Sequence, residues 1–218
     1  MKKLNLPNRL TLLRLILIPF IMFFLIFPIL PDTWSRIAGA ALFIITAFTD
    51  FLDGFLARRL NMITDFGIFL DPLADKLLIF GAMLGIMVMN SSDAVFTRVF
   101  VWSFFVVIFR ELAVTSLRLV VSGKANVVIP ASFLGKLKTI SQMICMVAVI
   151  LEPVIIPDSK LIVSYCLIIL MTLLTLLSGL SYFKAYWKHI DPNAELGETD
   201  EKSVSLPVNT DSKGNKSN

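Results

Sequence analysis

Histidine and cysteine are scarce in this chain, and charged residues are few. The 218 residues include one histidine, His189, and two cysteines, Cys145 and Cys166, which lie inside apolar runs without the spacing of metal ligands. This excludes a zinc site built from them, and we expect both thiols to be buried and structural. Hydrophobic residues make up 56% of the chain. Soluble domains have about 45–50%, so we predict a single integral membrane domain.

The chain also lacks an internal repeat and a signal-peptide cleavage site. The first absence gives no support to a transporter built from symmetric halves. The N-terminus begins like a signal peptide, but Arg9 and Arg14 interrupt its apolar region and no A-x-A site follows. We therefore predict a basic interfacial helix from Leu4 to Leu13 and a retained membrane helix from Leu15 to Leu30. The net charge of +4 does not predict a nucleic-acid partner, because basic residues beside apolar spans set orientation and meet anionic lipid.

Apolar segments of membrane-spanning length fill most of the chain up to residue 190. A bilayer core about 30 Å thick needs roughly 17–25 helical residues. We expect an all-α membrane domain over residues 1–190 with about six transmembrane helices, and a disordered polar cytoplasmic tail from Asp191 to Asn218. The predicted second, fourth and sixth helices are Ile37–Ala57, Val99–Val121 and Leu161–Tyr182. Leu73–Met89 continues the third helix, and Leu137–Leu151 is the core of the fifth.

Carboxylates cluster between the second and third apolar segments. Asp50, Asp53, Asp71 and Asp75 are costly at membrane depth, which points to a functional role. At 100° per residue the first pair shares one helix face, while Gly67, Asp71 and Asp75 advance by only about 40° per step on the next helix. An antiparallel return of the chain would present all four carboxylates to one space. They cannot all stay ionised there without cations.

The types of ligand select the cation. Carboxylate oxygens without histidine or cysteine suit Mg²⁺, Mn²⁺ or Ca²⁺, and four carboxylates can hold two such ions, an arrangement used for displacement at phosphorus. The alternative is an ordinary transporter or channel in which these residues are helix-end charges. In that case Asp50 and Asp53 would pair with Arg58 and Arg59.

The acidic pattern resembles the signature of the CDP-alcohol phosphatidyltransferase family, with every defining position present. The pattern reads Asp50-x-x-Asp53-Gly54-x-x-Ala57-Arg58, eight residues, then Gly67-x-x-x-Asp71-x-x-x-Asp75. A start that members of this family often carry is matched by Pro7, Asn8, Leu10, Thr11 and Arg14. Arg14 could alternatively extend to the lipid headgroups without contacting a substrate.

A basic group of residues follows in the fourth and fifth apolar segments. Arg110 and Glu111 lie inside the fourth segment, and Arg118 comes two turns after Glu111 on nearly the same face. We assign the lysines that follow to a loop and expect a cationic pocket for a phosphorylated soluble substrate. The alternative is an ion pair between Arg110 and Glu111, with lysines that only set orientation. The lysines are Lys124, Lys136 and Lys138.

The basic motifs resemble the phosphatidylglycerophosphate synthase branch of the family. They read Arg110-Glu111-x-x-Val114-x-x-x-Arg118 and Gly135-Lys136-Leu137-Lys138-Thr139. The string from Asp71 to Lys76 fits this branch and equally the cardiolipin synthases of the family. The resemblance spans about Asn5 to Tyr186. It implies transfer of the phosphatidyl group of CDP-diacylglycerol to sn-glycerol 3-phosphate, with release of CMP, by a homodimer in the bacterial plasma membrane.

The resemblance also implies roles for particular residues. Asp50, Asp53, Asp71 and Asp75 would hold two Mg²⁺ or Mn²⁺ ions, and Asp75 would also be the base for the acceptor hydroxyl. The residues implied to bind CDP-diacylglycerol are Asn8, Thr11, Arg14, Gly54, Ala57, Arg58 and Gly67. Those implied to bind the acceptor phosphate are Arg110, Thr115, Arg118, Lys124, Lys136 and Lys138.

Two other functions and one question of orientation remain open at this point. A cardiolipin synthase, or a relative with another acceptor, would share the acidic motif. An ion-coupled transporter with an acidic site would show metal-dependent flux and no release of CMP.

Most lysines and arginines flank one side of the predicted helices, and Arg36, Arg98 and Lys160 flank the other. This asymmetry predicts that both termini and the aspartates lie on the cytoplasmic side.

Overall fold

The computed structural model is all-helical over the residues that it describes, which are 6–27, 29–59, 65–125 and 133–187. Six α-helices follow one another there, and a short 3₁₀ segment, Pro157–Ser159, precedes the last. The expected all-α architecture is confirmed for this part of the chain, whereas the predicted tail lies outside it. The helices are α1 (Leu6–Ile26), α2 (Asp32–Arg59), α3 (Asp65–Met89), α4 (Ala94–Ala125), α5 (Phe133–Ile155) and α6 (Ile162–Trp187).

Five of these helices, α1 and α3 to α6, are long and apolar enough to cross a membrane. Their outer faces carry many exposed large apolar side chains, such as Phe20, Phe109 and Leu180. An apolar surface of this extent suits lipid better than water. Helix α2 has 28 residues and carries charged residues towards both of its ends. The expectation of a membrane protein is therefore confirmed.

The prediction of two separate helices at the N-terminus is wrong. We expected an interfacial helix, Leu4–Leu13, before a membrane helix, Leu15–Leu30, but Leu6–Ile26 is one helix. Arg9 and Arg14 are five positions apart, about 140° around a helix. Arg9 is accordingly exposed, whereas Arg14 is buried. Because the Arg14 charge is paired inside the bundle, the helix continues through this position.

Helix α1 holds α2 and α3 together. It packs along both, while α2 and α3 touch each other only sparsely. Leu25 fits between two glycines, because a Cβ on Gly39 of α2 would lie 2.5 Å from its Cδ2 and one on Gly85 of α3 would lie 2.9 Å from its Cδ1. Small residues thus let α1 lie in the groove between the two helices. On the other side of the bundle α5 pairs with α6, α4 packs on α6, and α2 meets α5.

Two further expectations are corrected. Cys145 is buried as expected, but Cys166 is exposed. The apolar run of α6 covers all faces of the helix, so hydropathy does not show which face is buried.

The lysines assigned to a loop lie on helices, with Lys124 in α4 and both Lys136 and Lys138 in α5. Apolar content marks the membrane span, whereas backbone hydrogen bonding continues into the polar flanks.

Candidate active site

Carboxylates from α2 and α3 meet around one arginine of α1. Arg14 Nη1 lies 2.6 Å from Asp50 Oδ1 and donates to Asp75 Oδ1 at 2.8 Å. The Arg14 side chain is fully buried, whereas 30% of the Asp50 side chain and 53% of that of Asp75 are exposed. A buried guanidinium needs paired charge, and here it has two carboxylates. This side of the site therefore carries an excess of negative charge.

A stripe of polar residues along α1 faces the acidic cluster. One turn before Arg14, Thr11 Oγ1 donates to Asp71 Oδ1 at 2.7 Å. Asn8, three residues earlier still, is also buried. Residues three apart lie close to one helix face, which explains why Thr11 and Arg14 both contact the acidic cluster. The alternative in which Arg14 extends to the headgroups is wrong, because its side chain is inside the bundle.

The structure brings three of the four predicted aspartates together and leaves the fourth untested. Asp53 lies on α2, but its side chain is outside the described residues, as are those of Ala57, Arg58 and Arg59. Gly54 lies on the same backbone stretch. Gly67 is buried on α3, one turn before Asp71. The alternative pairing of Asp50 with Arg58 is likewise untested, and the recorded partner of Asp50 is Arg14.

The second charged group is centred on Glu111 of α4. Its Oε1 accepts a hydrogen bond from Arg110 Nη1 at 2.9 Å and another from Lys138 Nζ of α5. All three side chains are largely buried, with 16% of Glu111, 10% of Arg110 and 6% of Lys138 exposed. The ion pair between Arg110 and Glu111, which the sequence analysis gave as the alternative, is present, and Lys138 shares the same carboxylate. One carboxylate here serves two cations, so this side carries an excess of positive charge.

Arg110 is directed towards α6. Its Nη2 donates to Ser178 Oγ at 2.7 Å, and its guanidinium carbon lies 5.3 Å from the centre of the Tyr182 ring. Gly179 makes room for it, since a Cβ there would lie 3.1 Å from Arg110 Cγ. Arg110 is thus joined to Lys138 through the Glu111 carboxylate.

A cavity of about 180 Å³ lies between the acidic and the basic group. Aspartates line one part of its wall and cationic side chains another. Its polar lining is Asp50, Asp75, Lys76, Glu111, Lys138, Thr139 and Gln142. The cavity therefore offers opposite charges to a single small ligand.

A larger apolar groove of about 610 Å³ adjoins the cavity, and Met143 lines both. The groove runs between α2, α5 and the start of α6. Its wall includes Phe43, Ala47, Phe48 and Ala148. Ala47 lies one turn before Asp50 on α2, so the groove leads to the acidic cluster.

Sequence reasoning missed two residues of the cavity, Lys76 and Gln142. Lys76 Nζ donates to Thr115 Oγ1 at 2.7 Å, and Thr115 Oγ1 donates in turn to the Glu111 backbone oxygen at 2.7 Å. Gln142 follows Lys138 by four residues, so both lie on one face of α5. That spacing, and an amide inside an apolar run, were the signals that could have identified Gln142.

The remaining predicted acceptor residues lie away from the cavity wall. Arg118 on α4 and Lys136 on α5 are exposed. Thr115 reaches the cavity through its bond to Lys76. The Lys124 side chain is outside the described residues.

Among the described side chains, no group of three or more His, Cys, Asp or Glu residues is arranged to hold a metal ion. Arg14 Nη1 occupies the point on which Asp50 and Asp75 converge. Two carboxylate oxygens directed at one cationic atom show that the cluster accepts positive charge at that point. Ligands of this kind, all carboxylate oxygens, fit Mg²⁺ or Mn²⁺.

Comparison with known proteins places this site in a wider context. The family model for CDP-alcohol phosphatidyltransferase matches residues 4–179. A protein of Bacillus subtilis (strain 168) named CDP-diacylglycerol–glycerol-3-phosphate 3-phosphatidyltransferase is 40% identical over 201 residues, covering 84% of this chain and 96% of the relative. Proteins of the same name from Escherichia coli (strain K12) and Shigella flexneri serotype 5b (strain 8401) are 39% and 40% identical over 183 residues. Each alignment covers 83% of this chain, and 96% and 94% of the respective relatives.

Proposed function

The chain belongs to the CDP-alcohol phosphatidyltransferase family, and on this premise we propose that it transfers the phosphatidyl group of CDP-diacylglycerol to sn-glycerol 3-phosphate, with release of CMP. The observation that carries the proposal is the cavity with an acidic wall beside a basic wall. A diphosphate that arrives with metal ions suits the first, and a phosphorylated acceptor suits the second. The names of the relatives support the same pair of substrates.

The donor binds at the acidic wall in this proposal. Asp50, Asp53, Asp71 and Asp75 would hold two divalent ions, Mg²⁺ or Mn²⁺. When bound, such ions neutralise the diphosphate and the charge that develops on the CMP leaving group. Thr11 and Arg14 hold Asp71, Asp50 and Asp75 in place through the recorded contacts. Asn8, Gly54, Ala57, Arg58 and Gly67 are assigned to the donor by the family resemblance.

The acceptor binds at the basic wall. Lys76 and Lys138 line the cavity and present charge to the phosphate of glycerol 3-phosphate. Arg118 and Lys136 are exposed on the helices that carry the basic group and attract the dianion towards it. Arg110 and Thr115 fix Glu111 and Lys76, and Lys124 is assigned by resemblance alone.

Transfer joins the acceptor to the phosphatidyl group. The primary hydroxyl oxygen forms a bond to the phosphatidyl phosphorus, the bridging bond of the diphosphate breaks, and CMP leaves with the bonding electrons. Asp75 accepts the hydroxyl proton, for which its half-exposed carboxylate is accessible.

The apolar groove supports a lipid donor. Its volume of about 610 Å³ and its continuity with the acidic cluster suit acyl chains whose headgroup lies at Asp50. A soluble nucleotide sugar or a free nucleotide would have no use for such a groove. The diacylglycerol part therefore lies between α2 and α5 in this proposal.

The identity of the acceptor is tested directly by its ability to support CMP release. The purified protein is incubated with CDP-diacylglycerol and Mg²⁺ or Mn²⁺, and the release of CMP is measured with a panel of alcohols. We expect turnover with glycerol 3-phosphate and none with phosphatidylglycerol. Phosphatidylglycerol carries a monoanionic diester and needs fewer cations than this site provides. Preference for phosphatidylglycerol would indicate a cardiolipin synthase, and metal-dependent flux without CMP would indicate a transporter.

We further propose that residues 1–190 form the catalytic membrane domain of a homodimer, with residues 191–218 as a polar tail. The site and both termini face the cytoplasm, as the distribution of lysine and arginine predicts. Cysteines introduced near Lys188 and near Asp93 should then react with impermeant reagents from opposite sides of the membrane. Labelling of both from one side would contradict this topology.

A further inference from the structure

We propose that Gln142 determines acceptor specificity by binding the free secondary hydroxyl of glycerol 3-phosphate. This inference rests on the proposed function and deepens it. The amide would hold the middle of the acceptor while its phosphate and its reacting hydroxyl occupy the two charged walls of the cavity.

The buried state of Gln142 is the first observation. Only 1% of the residue is exposed, yet it lines the cavity between the acidic and the basic group. Its Nε2 is buried and has no hydrogen-bond partner among the described residues. Buried amide donors are nearly always paired in folded proteins. A donor left open beside a cavity is therefore suited to a ligand.

The neighbours of Gln142 show which part of the ligand it would bind. Lys76 and Lys138 offer charged donors, which suit the phosphate dianion. Asp75 offers a carboxylate, which suits the hydroxyl that loses its proton. Thr139 also lines the cavity, but its Oγ1 donates to the Gly135 backbone oxygen within α5. Among the described lining residues Gln142 is thus the neutral group with an open donor.

A neutral amide matches a neutral hydroxyl, because each can both donate and accept a hydrogen bond. Glycerol 3-phosphate has three polar groups, namely a phosphate, a primary hydroxyl and a secondary hydroxyl between them. The cavity wall likewise carries cations, carboxylates and an amide. Sites built to bind a substrate hydroxyl strongly reject analogues that lack it, since a buried polar group is then left unpaired.

The test pairs a change in the protein with a change in the substrate. Gln142→Leu keeps the size of the side chain and removes its polar atoms. CMP release is measured with glycerol 3-phosphate and with 3-hydroxypropyl phosphate, which lacks the secondary hydroxyl. We expect kcat/KM to fall about 10- to 100-fold for glycerol 3-phosphate and to change less than about threefold for the analogue. Ser141→Ala is the adjacent control. The Ser141 hydroxyl donates to the Lys138 backbone oxygen, so its loss should leave both values unchanged.

Thermal unfolding in detergent separates this role from a structural one. Leucine removes an unsatisfied buried donor, so Gln142→Leu should unfold at the same or a higher temperature than the wild type while losing activity. Gln142→Asn, whose side chain is one methylene shorter, provides a second variant. Its kcat/KM should also fall more for glycerol 3-phosphate than for 3-hydroxypropyl phosphate.

Three outcomes would overturn the inference. If kcat/KM of Gln142→Leu fell equally for both acceptors, Gln142 would lie at the phosphate. If kcat/KM were unchanged, Gln142 would lie away from the substrate. A lower unfolding temperature with proportional losses would make it structural. Failure of the proposed function is distinguishable from all of these, because the wild-type protein would then release no CMP with glycerol 3-phosphate.

Discussion

The two charged groups of this protein are built on the same plan with the signs reversed. Around α1 one buried cation, Arg14, contacts two carboxylates, Asp50 and Asp75. Around α4 one buried carboxylate, Glu111, contacts two cations, Arg110 and Lys138. In each group the central side chain is neutralised, and charge opposite in sign to that side chain is left over. The cavity lies where these leftover charges face each other.

The comparison also shows why neither group is a simple salt bridge. A balanced buried pair contributes little net stability and has no charge left for a ligand. An unbalanced group is incomplete until an ion or a substrate of the right sign arrives. In the proposed function, metal ions and the donor would complete the acidic group, and a phosphorylated acceptor would complete the basic group.

The largest effect is expected at the acidic group. Asp71→Asn keeps the shape of the side chain and removes its charge, so the group loses part of its capacity for cations. We expect CMP release to fall by about 10²–10⁴-fold, as for the loss of a group that acts in the reaction. The protein should still elute as a folded species in detergent.

Asp158→Asn supplies the matched control. Asp158 lies in the 3₁₀ segment before α6 and is exposed, so its loss should leave turnover unchanged. Substantial turnover of Asp71→Asn at saturating metal would contradict the assignment of two metal ions to the acidic group.

Removing the central member of each group tests the reversal of sign directly. Glu111→Gln leaves Arg110 and Lys138 buried without a neutralising charge, which should lower the free energy of unfolding by about 3–5 kcal/mol. Arg14→Met should have a smaller effect, because the carboxylates that it leaves are partly exposed. Thermal unfolding of both variants in detergent measures the difference.

Added ligands should rescue these variants selectively. A ligand that binds only the folded state raises the free energy of unfolding by mass action. Mg²⁺ should therefore stabilise Arg14→Met, and glycerol 3-phosphate should stabilise Glu111→Gln. The acidic group is intact in Glu111→Gln, so that variant should gain as much from Mg²⁺ as the wild type does. If Arg14→Met gained no more from Mg²⁺ than the wild type, the reversal of sign between the two groups would be contradicted.

The acidic group was more accessible to sequence analysis than the basic one. Spacing alone placed Asp71 and Asp75 on one face, because both lie on the same helix. The partner of Asp50, in contrast, is Arg14, which comes from α1 and was assigned only by resemblance. Its burial depends on how α1 packs between α2 and α3. The spacing of residues within one helix does not predict such long-range packing.

The basic group illustrates the opposite difficulty. Arg110 and Lys138 were identified by type and position, but their directions depend on tertiary contacts. Arg110 turns towards Ser178 and Tyr182 because Gly179 leaves room on α6. Gln142 was missed because a neutral amide in an apolar run carries no charge signal, and only the cavity shows what it faces.

A moderate effect is expected from the exposed cations of the basic group. Arg118→Ala and Lys136→Ala should each raise the KM for glycerol 3-phosphate much more than that for CDP-diacylglycerol. Both side chains are exposed and lie away from the cavity wall, so each acts through the field that concentrates the dianion at the cavity. Removing one of these charges should raise the KM by about tenfold at low ionic strength, and by less at higher salt. Steady-state kinetics of CMP release with each substrate varied in turn measures both constants.

Lys160→Ala is the control for these variants. Lys160 lies between the 3₁₀ segment and α6, on the side opposite the predicted site, so both KM values should remain at the wild-type level. Unchanged dependence on glycerol 3-phosphate in Arg118→Ala and Lys136→Ala would remove these two residues from the acceptor site. The phosphate would then depend on Lys76 and Lys138 alone.

The smallest effect is expected from a change in the apolar groove, because the groove belongs to neither of the two charged groups. Ala148→Phe places a ring in the groove that we assign to the acyl chains. Overpacking of this kind costs about 1 kcal/mol or more, so the KM for long-chain CDP-diacylglycerol should rise roughly fivefold. A short-chain donor should be affected less, because it fills less of the groove. Ala41→Phe, on an exposed face of α2, should change neither constant. An equal rise for both chain lengths would mean that the added ring acts on the headgroup site through Met143, and the acyl chains would then have to lie elsewhere.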